Sequence, residues 1–235
     1  MEIINNLSIK IAGEIVLSAE PNKTIRKWRK VFGISQMVLA KNLGVSPSVV
    51  SDYESGRRQS PGSKMVKKIV DAFISEDLRK DSKVIKSFIR LEKGTSFSEA
   101  VLDIKEFSIP VKAKDLINAI SGEPLINEEL LNKDIYGFTV LDSVKAILEL
   151  SSEEFISIFG MTSERALIFT NVSKGRSPFV AIRVSSIKPG LVVIHGVDKI
   201  DSLGKKIAVK DRIPVVLSRE LTQDKMIQKL RGLSN

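Results

Sequence analysis

One short segment in the C-terminal half combines residue types that bind anions. Two cations and polar side chains surround a glycine ahead of a proline, in the cluster Asn171, Lys174, Gly175, Arg176 and Ser177. If the apolar run 166–172 is a strand and a helix starts at Pro178, the loop ends at a helix N-terminus with free N–H groups. Such a loop can hold a small anionic or phosphorylated ligand, with Arg176 as a bidentate contact. An ordinary Ser-Pro helix cap with solvated cations would use the same residues, and both interpretations stay open.

His195 is the only histidine, and it ends the apolar run LVVIHG, at the strand end where α/β proteins bind ligands. A structural histidine in the core fits the same position. The chain has no cysteine, which excludes disulfides, thiolate zinc sites and a cysteine nucleophile and favours a cytoplasmic location. No nucleophile stands beside a base, and no carboxylate pair is suitably spaced. We therefore expect no catalytic residue, no metal site and no cofactor.

The net charge of +9 is concentrated in one segment. Residues 21–90 carry 16 Lys and Arg against 6 Asp and Glu, whereas residues 1–20 and 91–235 carry net charges of −2 and +1. Clustered cations release counterions from DNA phosphates, so this segment is typical of a nucleic-acid partner. A solvated basic surface is the alternative explanation.

The basic segment also has the pattern of a compact all-α domain. A leading helix is predicted from the apolar spacing between Asn5 and Ala19. Four more helices follow in TIRKWRKVF, SQMVLAKNL, SPSVVSDYES and SKMVKKIVDAFI. Ser35 is the expected N-cap of the second of these four, and Gly44 its end. Ser46 and Pro47 then begin the next helix.

The second and third of these four helices, over SQMVLAKNLGVSPSVVSDYESGRR, resemble the helix-turn-helix of the Cro and phage-repressor class, also called the XRE type. The resemblance rests on the small Ala40, where the helices cross, on Gly44 at the turn and on Val50, which packs inward. It implies a transcription regulator that binds double-stranded DNA through residues between Lys23 and Ile74. The segment from Ile11 to Pro61 is also similar to archaeal regulators that join this module to a C-terminal α/β domain.

The resemblance implies which residues contact DNA. In such proteins the second helix lies in the major groove, with its N-terminal residues at the base edges. The corresponding positions here are Pro47, Ser48, Ser51 and Asp52. Serine bonds to several bases and proline offers only apolar contact, so DNA shape is expected to contribute to specificity. Gln36 is expected to hold a phosphate, and Arg57 and Arg58 to clamp the DNA backbone.

The C-terminal half changes to a pattern of alternating strands and helices. Helices are predicted over 111–120 and 140–150, before the apolar strands ALIFTNV, LVVIHG and IPVVLS. Helices are predicted after each of these strands, which implies a parallel sheet, although FVAIRV also has the alternation of a strand. From about Tyr136 onward the chain resembles the DRTGG family, a small α/β domain that serves as a dimerising or regulatory unit. The motif that names this family is absent, and TNVSKGRS stands in its place.

The sequence therefore predicts an α plus α/β protein. An all-α helix-turn-helix domain spans residues 1–90, a linker spans 91–110, and a small α/β domain with a mostly parallel sheet spans 111–235. We expect a homodimeric DNA-binding regulator with no membrane segment or signal peptide, and with a small anionic or phosphorylated effector as a candidate partner. Two alternatives stay open: a coactivator or antitoxin-type module that contacts another protein, and an enzyme acting on a phosphorylated metabolite.

Overall fold

The structure, a computed structural model, describes residues 2–92, 98–185, 187–220 and 222–233. The chain divides into two compact units. Unit 1 comprises residues 1–93 and 108–110, and unit 2 comprises residues 94–107 and 111–235. Within the described ranges, no helix combines the length and the apolar character needed to cross a membrane.

Unit 1 is helical, as predicted. Its helices are α1 (Glu2–Leu17), α2 (Pro21–Val31), α3 (Gln36–Leu43), α4 (Pro47–Ser55), α5 (Ser63–Arg79) and α6 (Lys83–Glu92). Apolar residues spaced by three or four face inward from each helix, which buries Ile11, Trp28 and Phe73. The rings of Phe32 and Phe73 stack with their centroids 5.3 Å apart, which joins α5 to the C-terminal end of α2.

Unit 2 is built on one six-stranded sheet. Its strands are β1 (Val101–Lys112), β2 (Gly122–Ile126), β3 (Asp134–Asp142), β4 (Ala166–Thr170), β5 (Leu191–His195) and β6 (Val215–Ser218). They lie in the order β1-β3-β4-β5-β6-β2. The pairs from β3 to β6 are parallel, and the two edge strands pair antiparallel. The prediction of a mostly parallel sheet is confirmed.

Helices cover both faces of the sheet. They are α7 (Ala113–Ala119), α8 (Ser143–Glu149), α9 (Ser152–Ser157), α10 (Ser177–Val184), α11 (Ser202–Lys210) and α12 (Gln223–Gly232). Residues of α7 and α12 share one apolar cluster with the sheet, and residues of α10 and α11 share the cluster on the opposite face. Strands β3 to β6 are neighbours in chain order, so right-handed connections place their helices on the same face.

The sequence predicted β4, β5 and β6 correctly but missed the other three strands. The linker predicted over 91–110 is wrong, because α6 continues to Glu92 and β1 begins at Val101. The helix predicted over 140–150 begins only at Ser143, because residues 140–142 belong to β3. Similarly, residues 111–112 close β1, so the helix predicted over 111–120 begins at Ala113. The ambiguous segment FVAIRV is helical, within α10.

Two of the missed strands, β1 and β3, hide their period for a physical reason. Strand β1 pairs with β3 near both of its ends, but its register shifts between Glu106 and Val111, which breaks the two-residue alternation. Strand β3 is buried on both faces from Ile135 to Asp142. A short run that is buried on both faces lacks the two-residue alternation, so its periodicity does not distinguish it from a buried helix.

A fully buried arginine joins the strands of unit 2. The guanidinium of Arg165 donates to the Glu106 carboxylate on β1 at 2.6 Å and to the carbonyl oxygens of Phe138 and Phe159 at 2.7 and 2.9 Å. Gly160 leaves space for it, because a Cβ there would lie 1.8 Å from Arg165 Nη1. A buried cation is tolerated only when it is paired and hydrogen-bonded in this way.

We expect Glu106→Ala to destabilise unit 2 by about 3–5 kcal/mol, because it leaves the Arg165 cation buried without a counterion. Amide hydrogen exchange in the β4 peptide measures the free energy of opening for this unit. Glu123→Ala is the matched control, since its carboxylate pairs with Arg219 at the surface at 2.8 Å. An exposed pair of that kind contributes less than about 1 kcal/mol. Equal losses in the two variants would contradict the stabilising role of the buried pair.

Candidate nucleic-acid interface

Helices α3 and α4 form a two-helix motif with a three-residue turn. Gly44 adopts φ +68° after α3, a left-handed conformation that favours glycine, and the Val45 N–H donates to the Ala40 carbonyl oxygen at 3.0 Å. Ser35 caps α3 by accepting the Val38 N–H. Ala40 and Val50 are both 1% exposed. The sequence-based assignments of the N-cap, the turn glycine and the two packing residues are confirmed.

A buried carboxylate holds three helices of unit 1 together. Glu54 on α4 is 6% exposed and accepts two hydrogen bonds from Arg29 on α2, through Nε and Nη2. Arg29 Nη1 donates in addition to the Ile34 carbonyl oxygen at 2.7 Å. Gln36 Nε2, at the start of α3, donates to the same carboxylate at 2.9 Å. The relative positions of α2, α3 and α4 are therefore set by one ionic network.

This network changes the interpretation of Gln36 and identifies Glu54 and Arg29 as residues that position the two-helix motif. The predicted phosphate contact requires a free Gln36 side chain. In the structure, the side-chain amide of Gln36 donates a hydrogen bond to Glu54 instead. The sequence contained a signal for Glu54, because it stands four residues after the buried Val50 and so faces inward. An acidic residue on an inward helix face requires a partner.

The outward face of α4 presents small side chains. Pro47 and Ser48 are exposed, and Ser51 and Asp52 are half-buried. The hydroxyl oxygens of Ser46 and Ser48 lie 2.7 Å apart at the start of the helix. Asp52 accepts a hydrogen bond from Arg57 Nε at 2.6 Å. The structure thus places all four predicted base-contacting residues on one helix, with the acidic residue already paired.

Three arginines surround this helix. Arg57 and Arg58 follow its last turn and are exposed, and the Arg58 guanidinium lies 5.6 Å from the Tyr53 ring centroid. Arg26 lines a polar groove together with Ser35, Gln36, Met37, Ser51 and Ser55. Arg26 is exposed and makes no ion pair with any residue that the structure describes. The sequence analysis missed Arg26, although its position beside the inward Ile25 indicates an outward side chain.

In unit 2, the residues of the predicted anion loop are distributed over several contacts. Asn171 donates to the Asp142 carboxylate at 2.7 Å. The Lys174 carbonyl oxygen accepts the Asp201 N–H, and Lys174 lines a shallow groove with residues 196–201. Arg176 and Ser177 begin α10, as predicted, and line a different, largely apolar cavity. The structure therefore separates Lys174 from Arg176.

Gly175 and His195 have packing explanations. Gly175 adopts φ +71°, and a Cβ there would lie 3.1 Å from the Ile200 Cα, so the glycine allows the loop to pass close to residue 200. His195 is half-buried, with Nε2 3.1 Å from the Glu220 carbonyl oxygen. Among the described residues, no group of three or more His, Asp or Glu side chains could hold a metal ion.

Asp142 connects the ends of two parallel strands. Its carboxylate caps α8 by accepting the Val144 and Lys145 N–H groups, at 2.9 and 3.0 Å, and also accepts the Asn171 amide. Burial on its own would raise the pKa of Asp142. The hydrogen bonds from Lys145, Asn171 and Val144 outweigh burial and hold the pKa below its ordinary value. Asp142 is therefore ionised at neutral pH and fixes the start of α8.

The geometry of unit 1 defines a DNA-binding protein of the helix-turn-helix class, and comparison with known proteins supports this. The sequence model of the helix-turn-helix family matches residues 25–76. A relative from Methanocaldococcus jannaschii, described as an HTH-type transcriptional regulator, is 46% identical over 234 residues, which is 98% of this chain and 95% of the relative. A relative from Archaeoglobus fulgidus with the same description is 44% identical over 224 residues, or 94% and 95% of the two chains.

The chain belongs to this family of HTH-type transcriptional regulators, and it is a DNA-binding transcription regulator with an XRE-type motif. No solved structure matches the chain. Both relatives cover the α/β unit as well as the helix-turn-helix, so the two units occur together in this family.

We expect Glu54→Gln to destabilise unit 1 by about 3 kcal/mol or more, because it leaves the Arg29 cation without its buried counterion. Urea unfolding followed by fluorescence of Trp28, the only tryptophan, measures the loss. Asp52→Asn is the matched control, since it makes the same chemical change on the same helix in an exposed pair. Its cost should stay below about 1 kcal/mol. A larger loss in the control than in Glu54→Gln would contradict the role given to the network.

Proposed function

We propose that α4 enters the major groove of DNA, with Pro47, Ser48, Ser51 and Asp52 facing the base edges. The single observation that carries this proposal is the Arg29–Glu54–Gln36 network, which anchors the inward side of α4 and leaves its outward side exposed. Small side chains on that outward side allow close approach to the bases, and serine can donate or accept a hydrogen bond.

The arginines around α4 are proposed as phosphate contacts. Arg58 stands over the Tyr53 ring, which keeps its guanidinium at the surface beside the last turn of α4. Arg57 compensates the charge of Asp52, so that a carboxylate can approach DNA without strong repulsion. Arg26 adds a cation to the groove between α2 and α3, where Gln36 retains its backbone N–H at the start of α3. These contacts orient the protein and carry no sequence information.

We expect Arg58→Ala to weaken binding equally on all DNA sequences and to make the log–log salt dependence shallower by about one unit. Fluorescence anisotropy with an operator selected from a random library, and with a scrambled duplex, measures both quantities over a range of salt concentrations. Ser48→Ala and Ser51→Ala are the contrasting variants, each expected to cost about 1–3 kcal/mol on the operator and little on the scrambled duplex. A salt slope that Arg58→Ala leaves unchanged, or equal serine losses on both duplexes, would contradict these assignments.

We further propose that the regulator acts in the cytoplasm as a homodimer in which unit 2 supplies the dimer contact. Two features of the sequence support this proposal. Residues 91–235 are nearly neutral, so unit 2 has little electrostatic attraction to DNA. From about Tyr136 onward, the chain resembles a domain that serves as a dimerising or regulatory unit. A two-fold pair of α4 helices would also double the number of base pairs that are read.

We expect the full chain to sediment as a dimer and to select an operator with two half-sites. Dimeric helix-turn-helix proteins place half-sites one helical turn, or about 34–36 Å, apart. Analytical ultracentrifugation at micromolar concentration measures the oligomeric state, and hydroxyl-radical footprinting measures the half-site spacing. A monomer that protects a single half-site would contradict the proposal.

Unit 2 is also proposed to bind a small anionic effector that changes DNA affinity. Support comes from Arg176 and Ser177, which stand at the N-terminal end of α10, where helix N–H groups attract negative charge. An effector can act only through unequal affinity for two states of the regulator.

A further inference from the structure

A cavity of about 630 Å³ opens between α8, α9 and α10 of unit 2. Its walls are largely apolar, with Ile147 and Leu150 from the α8 side, Phe155 from α9, and Val180 and Val184 from α10. Three of these side chains are unusually exposed for their type, at 57% for Ile147, 44% for Val180 and 83% for Val184. Cavities of this volume with apolar walls are typical of small-molecule sites.

The lining of this cavity also includes a cation and several serines. Among the residues that line it, only Arg176 carries a charge. Arg176 makes no hydrogen bond from its side chain and no ion pair with any described residue, whereas Arg183 on the same helix pairs with Asp211. Ser177 lies next to Arg176, in the first turn of α10. The cation is therefore available to a ligand, and the positive end of the helix dipole adds to its field.

We infer that this cavity binds a small organic anion with an apolar body. A carboxylate or phosphate head would accept hydrogen bonds from the Arg176 guanidinium and the Ser177 hydroxyl, and the body would lie against Leu150, Phe155 and Val180. The absence of any acidic side chain from the described lining favours an anion over a cation or a neutral ligand. A free phosphate ion would leave the apolar walls exposed to water, so the head group alone is a poor ligand.

The same ligand would join two helices whose starts are already connected. Asp142 caps α8 and accepts the Asn171 amide from the loop that leads to α10. A ligand held by both α8 and α10 fixes their separation. The arrangements with and without this fixed separation are then two states with different affinity for the ligand. The regulatory consequence rests on the proposed effector response of unit 2, whereas the binding site itself does not.

Isothermal titration calorimetry on the full chain without DNA tests the site. The probes are decanoate, decyl phosphate, decan-1-ol and inorganic phosphate, which separate the contributions of head and body. We expect at least one of the two amphipathic anions to bind about tenfold or more tightly than decan-1-ol, as one charge-assisted hydrogen bond would give, and inorganic phosphate not to bind. The inference would be overturned if decan-1-ol bound as tightly as both anions. It would also be overturned if inorganic phosphate bound as tightly as the amphipathic anions.

Variants on α10 make the test specific. Arg176→Gln should weaken the bound anion about tenfold and leave decan-1-ol unchanged, and Arg183→Gln is the matched control that should change neither. Ala181→Phe, which fills the cavity, should abolish binding of the anion and of decan-1-ol. Anion affinity that Arg176→Gln leaves intact would overturn the inference. A wild-type chain that binds neither anion would also overturn it. If Ala181→Phe then converts a dimer to a monomer, the cavity is covered by a second copy of the chain.

The failure of the regulatory part can be told apart from the failure of the site. DNA affinity is measured by anisotropy with and without the bound anion. If the anion binds through Arg176 but DNA affinity is unchanged, the site stands and the proposed effector response is wrong. If the anion changes DNA affinity in the wild type but not in Arg176→Gln, both are supported.

Discussion

The carboxylate of Glu54 lies almost fully buried among three helices of unit 1, and its charge must be compensated there. Arg29 supplies the counterion from α2, and Gln36 supplies a further hydrogen bond from α3. The two donor side chains and the acceptor carboxylate come from three different helices. The network therefore requires one particular arrangement of those helices. The direction in which α4 presents its outward face therefore depends on this interaction.

Unit 2 depends on a comparable buried charge of opposite sign. Arg165 joins the edge strand β1 to β3 and to the turn at Phe159, and Gly160 gives its guanidinium room. With β1 held in place, the buried strand β3 is covered along one edge. The parallel strands then carry their connecting helices on one face, and the cavity beside Arg176 lies between three of those helices.

The two units differ in how they use charge. In unit 1, buried charges are paired and exposed arginines surround a helix with small side chains, which suits a polyanion of regular shape. In unit 2, Arg176 lines a largely apolar cavity, and no acidic side chain is among the residues that line it. One chain thus combines a surface for an extended polyanion with a cavity for a small amphipathic anion.

Local signals in the sequence determined much of this architecture. Ser35, Gly44 and Ala40 specify the helix-turn-helix because caps, a left-handed turn and a small crossing residue act over a few residues. The apolar runs of β4 to β6 were recognisable for the same reason, since loops with clear helix starts separate them.

Tertiary structure decided the rest. Strand β1 acquires its register only by pairing with β3, and Arg165 finds its partner Glu106 across a separation of 59 residues. The cluster Asn171–Ser177 looked continuous in the sequence, yet the fold gives Asn171 to Asp142 and Arg176 to the cavity. Side chains that are adjacent in a loop diverge when a glycine packs closely between them, and only the packed structure shows where each one goes.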